Sequence, residues 1–294
     1  RLFFAFYRLR TMKFVITIFA LITIALCIAT QDAQAQEPSP QDNAAANTGG
    51  ETLKRFMAMP EDTRKLFNRN LYEAQQLFQQ KRLFDALQIL DALDKIFQGH
   101  PGALSLKAGC YVEMRAFDKA YPIFEKVLKI NPQSTNIRFN LAELDFVMKN
   151  WEAAHQKFSD LIGMLPPENK SMIQLCEFKM LLCKLKTNRV EEARAMENKY
   201  GEWDDTPYYY YATAALLYFD GKTDEAKKTL RNALFVWRDK NLLSSWQDTL
   251  IEFGYVRSFY GGQDAFESAT EQVTGDDLAP AEPKIAPIIP LDTE

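Results

Sequence analysis

Histidine is nearly absent from this chain, with two copies among 294 residues. His100 stands beside Pro101 and His155 directly follows Ala154. Neither has metal-binding neighbours at ligand spacing, so both read as packing or surface residues rather than as ligands or general bases. There is no glycine-rich phosphate loop and no nucleophile elbow. The adjacent acids Glu191-Glu192, Asp204-Asp205 and Asp276-Asp277 point in diverging directions and do not converge on a reacting atom. No metal, no cofactor and no catalytic residue is therefore expected, and the chain is not read as an enzyme. Positive charge is also thin. The formal net charge is −4 and no basic stripe occurs, which speaks against nucleic acid as a partner.

Cysteine is scarce, with four copies: Cys27, Cys110, Cys176 and Cys183. Cys176 and Cys183 lie two turns apart on one expected helix, about 10 Å between Cα atoms, which is too far to bridge. They read, with Cys110, as small buried hydrophobes.

Charge is uneven along the chain. Residues 1–35 are basic. Residues 261–294 hold eight acids and one lysine. Within the first segment Met12 is the natural initiator, Lys13 is basic, residues 14–29 are uncharged, and Ala33-Gln34-Ala35 is a small-x-small site. This pattern reads as a secretory signal peptide cut after Ala35, with residues 1–11 as upstream translation. The uncharged run falls short of the ~20 residues of a spanning helix. An uncleaved anchor and a lipid on Cys27 are the alternatives; the bulky Leu26 disfavours the second. The expected compartment is periplasmic or extracellular, with membrane contact only through the signal segment. Residues 36–59 read as a flexible linker with a short helix at 51–59. The tail from 261 is acidic, then proline-rich, and its last twenty residues read as disordered.

Between linker and tail one pattern recurs. Aligned on a central alanine, the copies fall at Ala86, Ala120, Ala154, Ala193 and Ala226, spaced 34, 34, 39 and 33 residues apart. A small residue stands twelve positions earlier at Ala74, Ala108, Ala142 and Ala214, with Leu181 in the fourth copy. Phe117 and Trp151 precede their alanines by three positions. Leu90, Phe124, Phe158 and Leu230 follow theirs by four, with Glu197 in the fourth copy. Such a period means stacked units that bury a core only against their neighbours. Paired small residues let two antiparallel helices cross closely, and the following large apolar residues fill the gap to the next unit. The fourth copy, with five extra residues near 167–171, is expected to pack irregularly.

This grid resembles the tetratricopeptide repeat family over about residues 66–240, in five copies. Phe117-Asp118-Lys119-Ala120 resembles the family's turn-to-second-helix signature, and the second copy closes with Lys129-Ile130-Asn131-Pro132. The resemblance implies an all-α, right-handed α-solenoid occupying residues 60–260, whose first helices line a concave, peptide-holding groove. It places Leu71, Gln75, Phe78, Ser105, Val112, Phe139, Glu143, Phe146, Tyr211 and Tyr218 on that groove. These are mostly apolar or neutral, so an apolar or aromatic-anchored segment is expected rather than an acidic C-terminal peptide.

After the fifth copy comes an amphipathic segment with Leu243, Trp246, Leu250 and Phe253 on one face. It is expected to cap the last repeat. The run Tyr208, Tyr209, Tyr210, Tyr211 cannot face inward as a whole, since successive helical residues turn by ~100°. The leading function is therefore a non-enzymatic interaction scaffold of the cell envelope with a protein or peptide partner. The alternative is a carbohydrate or small-ligand binder using the tyrosine cluster. An enzymatic role survives only if the C-terminal segment completes a site with another chain.

Overall fold

Five tight turns set the architecture. At the fifth position before each central alanine the backbone is left-handed: Lys81 (φ 61°), Arg115 (φ 56°), Lys149 (φ 64°), Asn188 (φ 59°) and Gly221 (φ 75°). Only the last is glycine, so four side-chain-bearing residues accept the steric cost of this conformation. A main-chain bond closes every turn: Arg82 to Leu77 (2.9 Å), Ala116 to Tyr111 (2.8 Å), Asn150 to Asp145 (2.8 Å), Arg189 to Lys184 (2.9 Å) and Lys222 to Leu217 (2.8 Å), N–H to carbonyl each time. This six-to-one bond with a left-handed residue before it ends one helix and launches the next.

The computed structural model describes residues 40–237 and 240–257. Twelve helices lie among them: α1 (Pro40–Met57), α2 (Glu61–Gln79), α3 (Leu83–Ile96), α4 (Pro101–Glu113), α5 (Phe117–Ile130), α6 (Thr135–Val147), α7 (Trp151–Ile162), α8 (Lys170–Lys186), α9 (Val190–Glu197), α10 (Tyr208–Phe219), α11 (Thr223–Val236) and α12 (Lys240–Phe253). The expected signal segment and the acidic tail lie outside the described residues. No helix among these residues is long and apolar enough to cross a membrane.

α2–α3, α4–α5, α6–α7, α8–α9 and α10–α11 are the five hairpins of an α-solenoid. The alanines of the grid have no exposed surface: Ala74, Ala86, Ala108, Ala120, Ala142, Ala154, Ala193, Ala214 and Ala226. Phe124 and Phe158 are buried, and Phe117 and Trp151 are half-buried against the same cores. The fourth hairpin is irregular as expected. α8 has 17 residues and α9 only 8. Leu181 is buried at the crossing, while Glu197 cannot fill an apolar gap and ends α9.

Two segments differ from the sequence reading. The expected linker is helical from Pro40 onward. Ala44, Ala45 and Ala46 favour helix, and the Gly49-Gly50 pair serves a close approach rather than a flexible break. A Cβ on Gly49 would sit 2.5 Å from the Ile130 carbonyl oxygen, where α1 meets α5. Phe56 then closes the first core, edge-on to Phe67 and Phe97 at 5.2 Å.

The second difference is α12, which does not stack on α11 as a cap. It lies across the face made by the first helices of the later hairpins. Trp246 packs against Phe178 of α8 (5.4 Å) and Tyr211 of α10 (5.7 Å), and Phe253 against Phe146 of α6 (6.1 Å). Leu243, Trp246, Leu250, Phe253 and Val256 are all buried, each contributing about 1.5–3 kcal/mol for a full-sized side chain. Ser244, Gln247 and Thr249 are buried as well, which fits a helix lying in a trough and not on an end. Phe235 and Val236 on α11 stay exposed.

Candidate functional site

Lys179 of α8 is the hub of the concave face. Its ammonium lies 2.7 Å from Glu143 of α6, donates to the Thr249 hydroxyl of α12 at 2.7 Å, and sits 4.9 Å from the centre of the Phe146 ring. The lysine is itself buried, and this triple engagement offsets the cost of desolvating its charge. A second strap joins α12 to the solenoid. Arg115, held outward by its left-handed turn, donates to both carboxylate oxygens of Glu252, at 2.8 and 3.2 Å. That pairing, set against partial burial, holds the guanidinium pKa above its ordinary value.

Between these straps a cavity of about 480 Å³ remains open, bounded by α4, α5, α6, α8 and α12. That size lies within the range of ligand pockets. Val112, Phe117, Phe124, Phe139, Leu144, Phe146, Val147 and Leu175 form the apolar wall. Facing them, Ser245, Asp248, Thr249 and Glu252 recur on α12 at intervals of three and four, so one polar stripe of that helix fronts the cavity. The carboxylates are neutralised, with one exception. Glu113 is paired with Lys81 (2.7 Å), Glu143 with Lys179 and Glu252 with Arg115. Asp248 has no hydrogen bond or ion pair among the described residues, and burial pushes its pKa up to about 6. Lys179 opposes that rise, and Glu252 and Glu143 add to it. The side-chain amide nitrogen of Asn140, also on the wall, has no partner among the described residues.

Residues 111–163, from the end of α4 to the end of α7, match the family described as tetratricopeptide repeat. Those residues carry the tetratricopeptide repeat pattern. No curated protein matches it. Among solved structures it is similar to a MamA RS-1 double mutant, at 15% identity over 62% of this chain and 98% of that one, TM-score 0.48. It is similar to YrrB, a tetratricopeptide repeat protein with an unusual peptide-binding site, at 17% identity over 59% and 87%, TM-score 0.43. It is also similar to TTC0263, a thermophilic tetratricopeptide repeat protein in Thermus thermophilus, at 19% identity over 63% and 99%, TM-score 0.44.

On this α-solenoid the groove residues separate into three groups. Val112, Phe139, Glu143 and Phe146 come together on the cavity. Leu71, Gln75, Phe78 and Ser105 lie further along, on α2 and α4; Phe78 is buried, with Lys81 over its ring. Tyr211 and Tyr218 are covered: Tyr211 by Phe178 and Trp246, Tyr218 by Tyr255 stacked at 5.3 Å.

The tyrosine run is likewise no platform. Tyr208, Tyr210 and Tyr211 are buried. The Tyr208 hydroxyl donates to the Met196 carbonyl at 2.9 Å, and that of Tyr210 to Glu202 at 3.2 Å. The glycan reading needed exposed rings and loses its surface here.

Histidines and cysteines have structural surroundings. His100 caps α4, its Nδ1 accepting the Ala103 N–H at 3.3 Å, and its ring packs on Phe56 and Phe67. Burial lowers its pKa. Burial, then Lys184 and Arg189, lowers that of His155. Cys110, Cys176 and Cys183 are buried free thiols. Burial pushes Cys110 and Cys183 up to about 12, so neither is a thiolate nucleophile near neutral pH. No cluster of three or more potential metal ligands occurs among the described residues.

Lys179, Asp248, Arg115 and Asn140 do not emerge from the sequence reading. A signal exists for two of them. Phe178 and Lys179 occupy in the fourth repeat the register positions of Phe139 and Asn140 in the third. The five inserted residues obscure that equivalence.

Proposed function

We propose that this chain is a non-enzymatic interaction scaffold of the cell envelope. It holds a segment of a partner protein in the cavity between α4, α5, α6, α8 and α12. The observation that carries this reading is the cavity itself. It is an apolar wall left open in a groove whose C-terminal part α12 fills, with Phe139 half-buried on it. Binding there would cover the surface that Phe117 and Phe139 still expose, the kind of apolar burial that anchors segments in helical grooves.

Export rests on the pattern Lys13, residues 14–29, and Ala33-Gln34-Ala35. Sequencing the N-terminus of the protein from its own cells should read from Gln36; a start at Met12 contradicts cleavage.

The binding role is tested with wild type, Phe139→Glu and Phe84→Ser as baits on a cross-linked envelope fraction. Phe84 is 75% exposed on α3, away from the cavity. Partners held by wild type should be kept by Phe84→Ser and lost by Phe139→Glu. The same partners on all three baits would remove the cavity from the account.

A further inference from the structure

The two walls of the cavity differ in chemistry. Phe139 and Phe146 face it from α6, whereas α12 presents Asp248 and its polar neighbours. α12 cannot swing away easily, because Trp246 and Leu250 anchor its opposite face. Asp248 is thus a fixed acceptor, and every other carboxylate on the cavity already has a cation. Resting on the reading of this cavity as a partner-segment site, we infer that Asp248 determines specificity. The segment it selects carries a lysine or arginine beside its apolar anchor, with the anchor on the phenylalanine wall and the cation on Asp248.

Charge complementarity supports this occupant. A neutral or acidic segment would cover an unpaired carboxylate and leave it desolvated, a penalty that disfavours such partners. A basic side chain turns the same burial into a charge-assisted hydrogen bond. The upward displacement of the Asp248 pKa shows that the site already disfavours a lone negative charge, which an incoming cation relieves.

The test is selection from a randomised dodecapeptide display library on the full chain, as wild type, Asp248→Asn and Phe139→Glu. Wild type should enrich peptides with a bulky apolar residue and a lysine or arginine at a fixed spacing from it. Asp248→Asn should still enrich apolar residues, with the basic preference down to the library background. For one selected peptide made synthetically, Lys→Met in the peptide should weaken binding to wild type about tenfold or more. The same change should matter little on Asp248→Asn. Apolar peptides without a basic preference, or a preference that persists in Asp248→Asn, overturn the specificity role alone. No enrichment, or enrichment unchanged by Phe139→Glu, overturns the cavity reading as well. The peptide substitution leaves the protein untouched, so its outcome does not depend on how a variant folds.

Discussion

In the first repeat the aromatic contacts are local: Phe56, Phe67, Phe97 and His100 form one cluster. From the third repeat onward, local pairs such as Phe139–Phe158 and Phe146–Trp151 are joined by long-range ones. Phe146 meets Phe253, Phe178 and Tyr208 meet Trp246, and Tyr218 meets Tyr255. A plain solenoid is stabilised by each unit and its neighbours. α12 alters that rule in the C-terminal half, because one helix touches α6, α8 and α10 and is strapped to Arg115 in the second hairpin. The difference teaches that one groove can be both structure and site. Where α12 lies, the groove is core; where its polar stripe stands off, the groove is a cavity.

The largest way to break this contrast is Trp246→Ala. Loss of a buried tryptophan costs about 3–5 kcal/mol. Hydrogen exchange should show protection falling together in α8, α10 and α12, while α2 and α3 keep theirs. Next comes Ala120→Leu, which overpacks a regular crossing at about 1–3 kcal/mol. Here the exchange increase should centre on α4 and α5 and fade with distance along the solenoid.

Asp248→Asn works in the other direction. The folded carboxyl titrates at about 6, above its unfolded value of 3.8, so the unfolded chain ionises first. Stability is therefore unaffected by this group below pH ~4, falls as pH rises from there towards the folded value, and stays reduced above it. Urea melts should show the variant gaining about 1–3 kcal/mol over wild type at pH 7.5, and nothing at pH 3.5. A gain equal at both pH values would mean that the carboxyl is not displaced. Smallest is Arg115→Ala, an ion pair with 62% of the arginine side chain exposed. It should cost under about 1 kcal/mol, and less in high salt.

Much of the fold was legible because repeat packing is local. Small residues twelve apart and large ones four further on state which faces meet, and both partners lie within one period. α12 was legible only as an amphipathic helix. Its periodicity tells which face is buried, not against what, and a trough across several repeats leaves no mark in the helix's own sequence. The polar residues buried with the apolar stripe, Ser244, Gln247 and Thr249, follow from that trough alone. α1 was missed because its glutamine, asparagines and glycines suggest a linker, whereas its close contact with Ile130 is tertiary. At the site, Val112, Phe139, Glu143 and Phe146 came from the family resemblance. Asp248 and Arg115 did not, since their roles arise where a helix after the repeats meets a turn within them.

The central claim is that α12 lies in the groove and not on the end of the solenoid. Two double-cysteine variants, Arg115→Cys/Glu252→Cys and Phe235→Cys/Glu252→Cys, treated with a short bifunctional maleimide, test it most directly. The native Cys110, Cys176 and Cys183 are buried and should stay silent. Efficient intrachain linkage of the first pair, with little of the second, is the expected result. Linkage of the second pair without the first would place α12 on α11 as a cap and contradict the account.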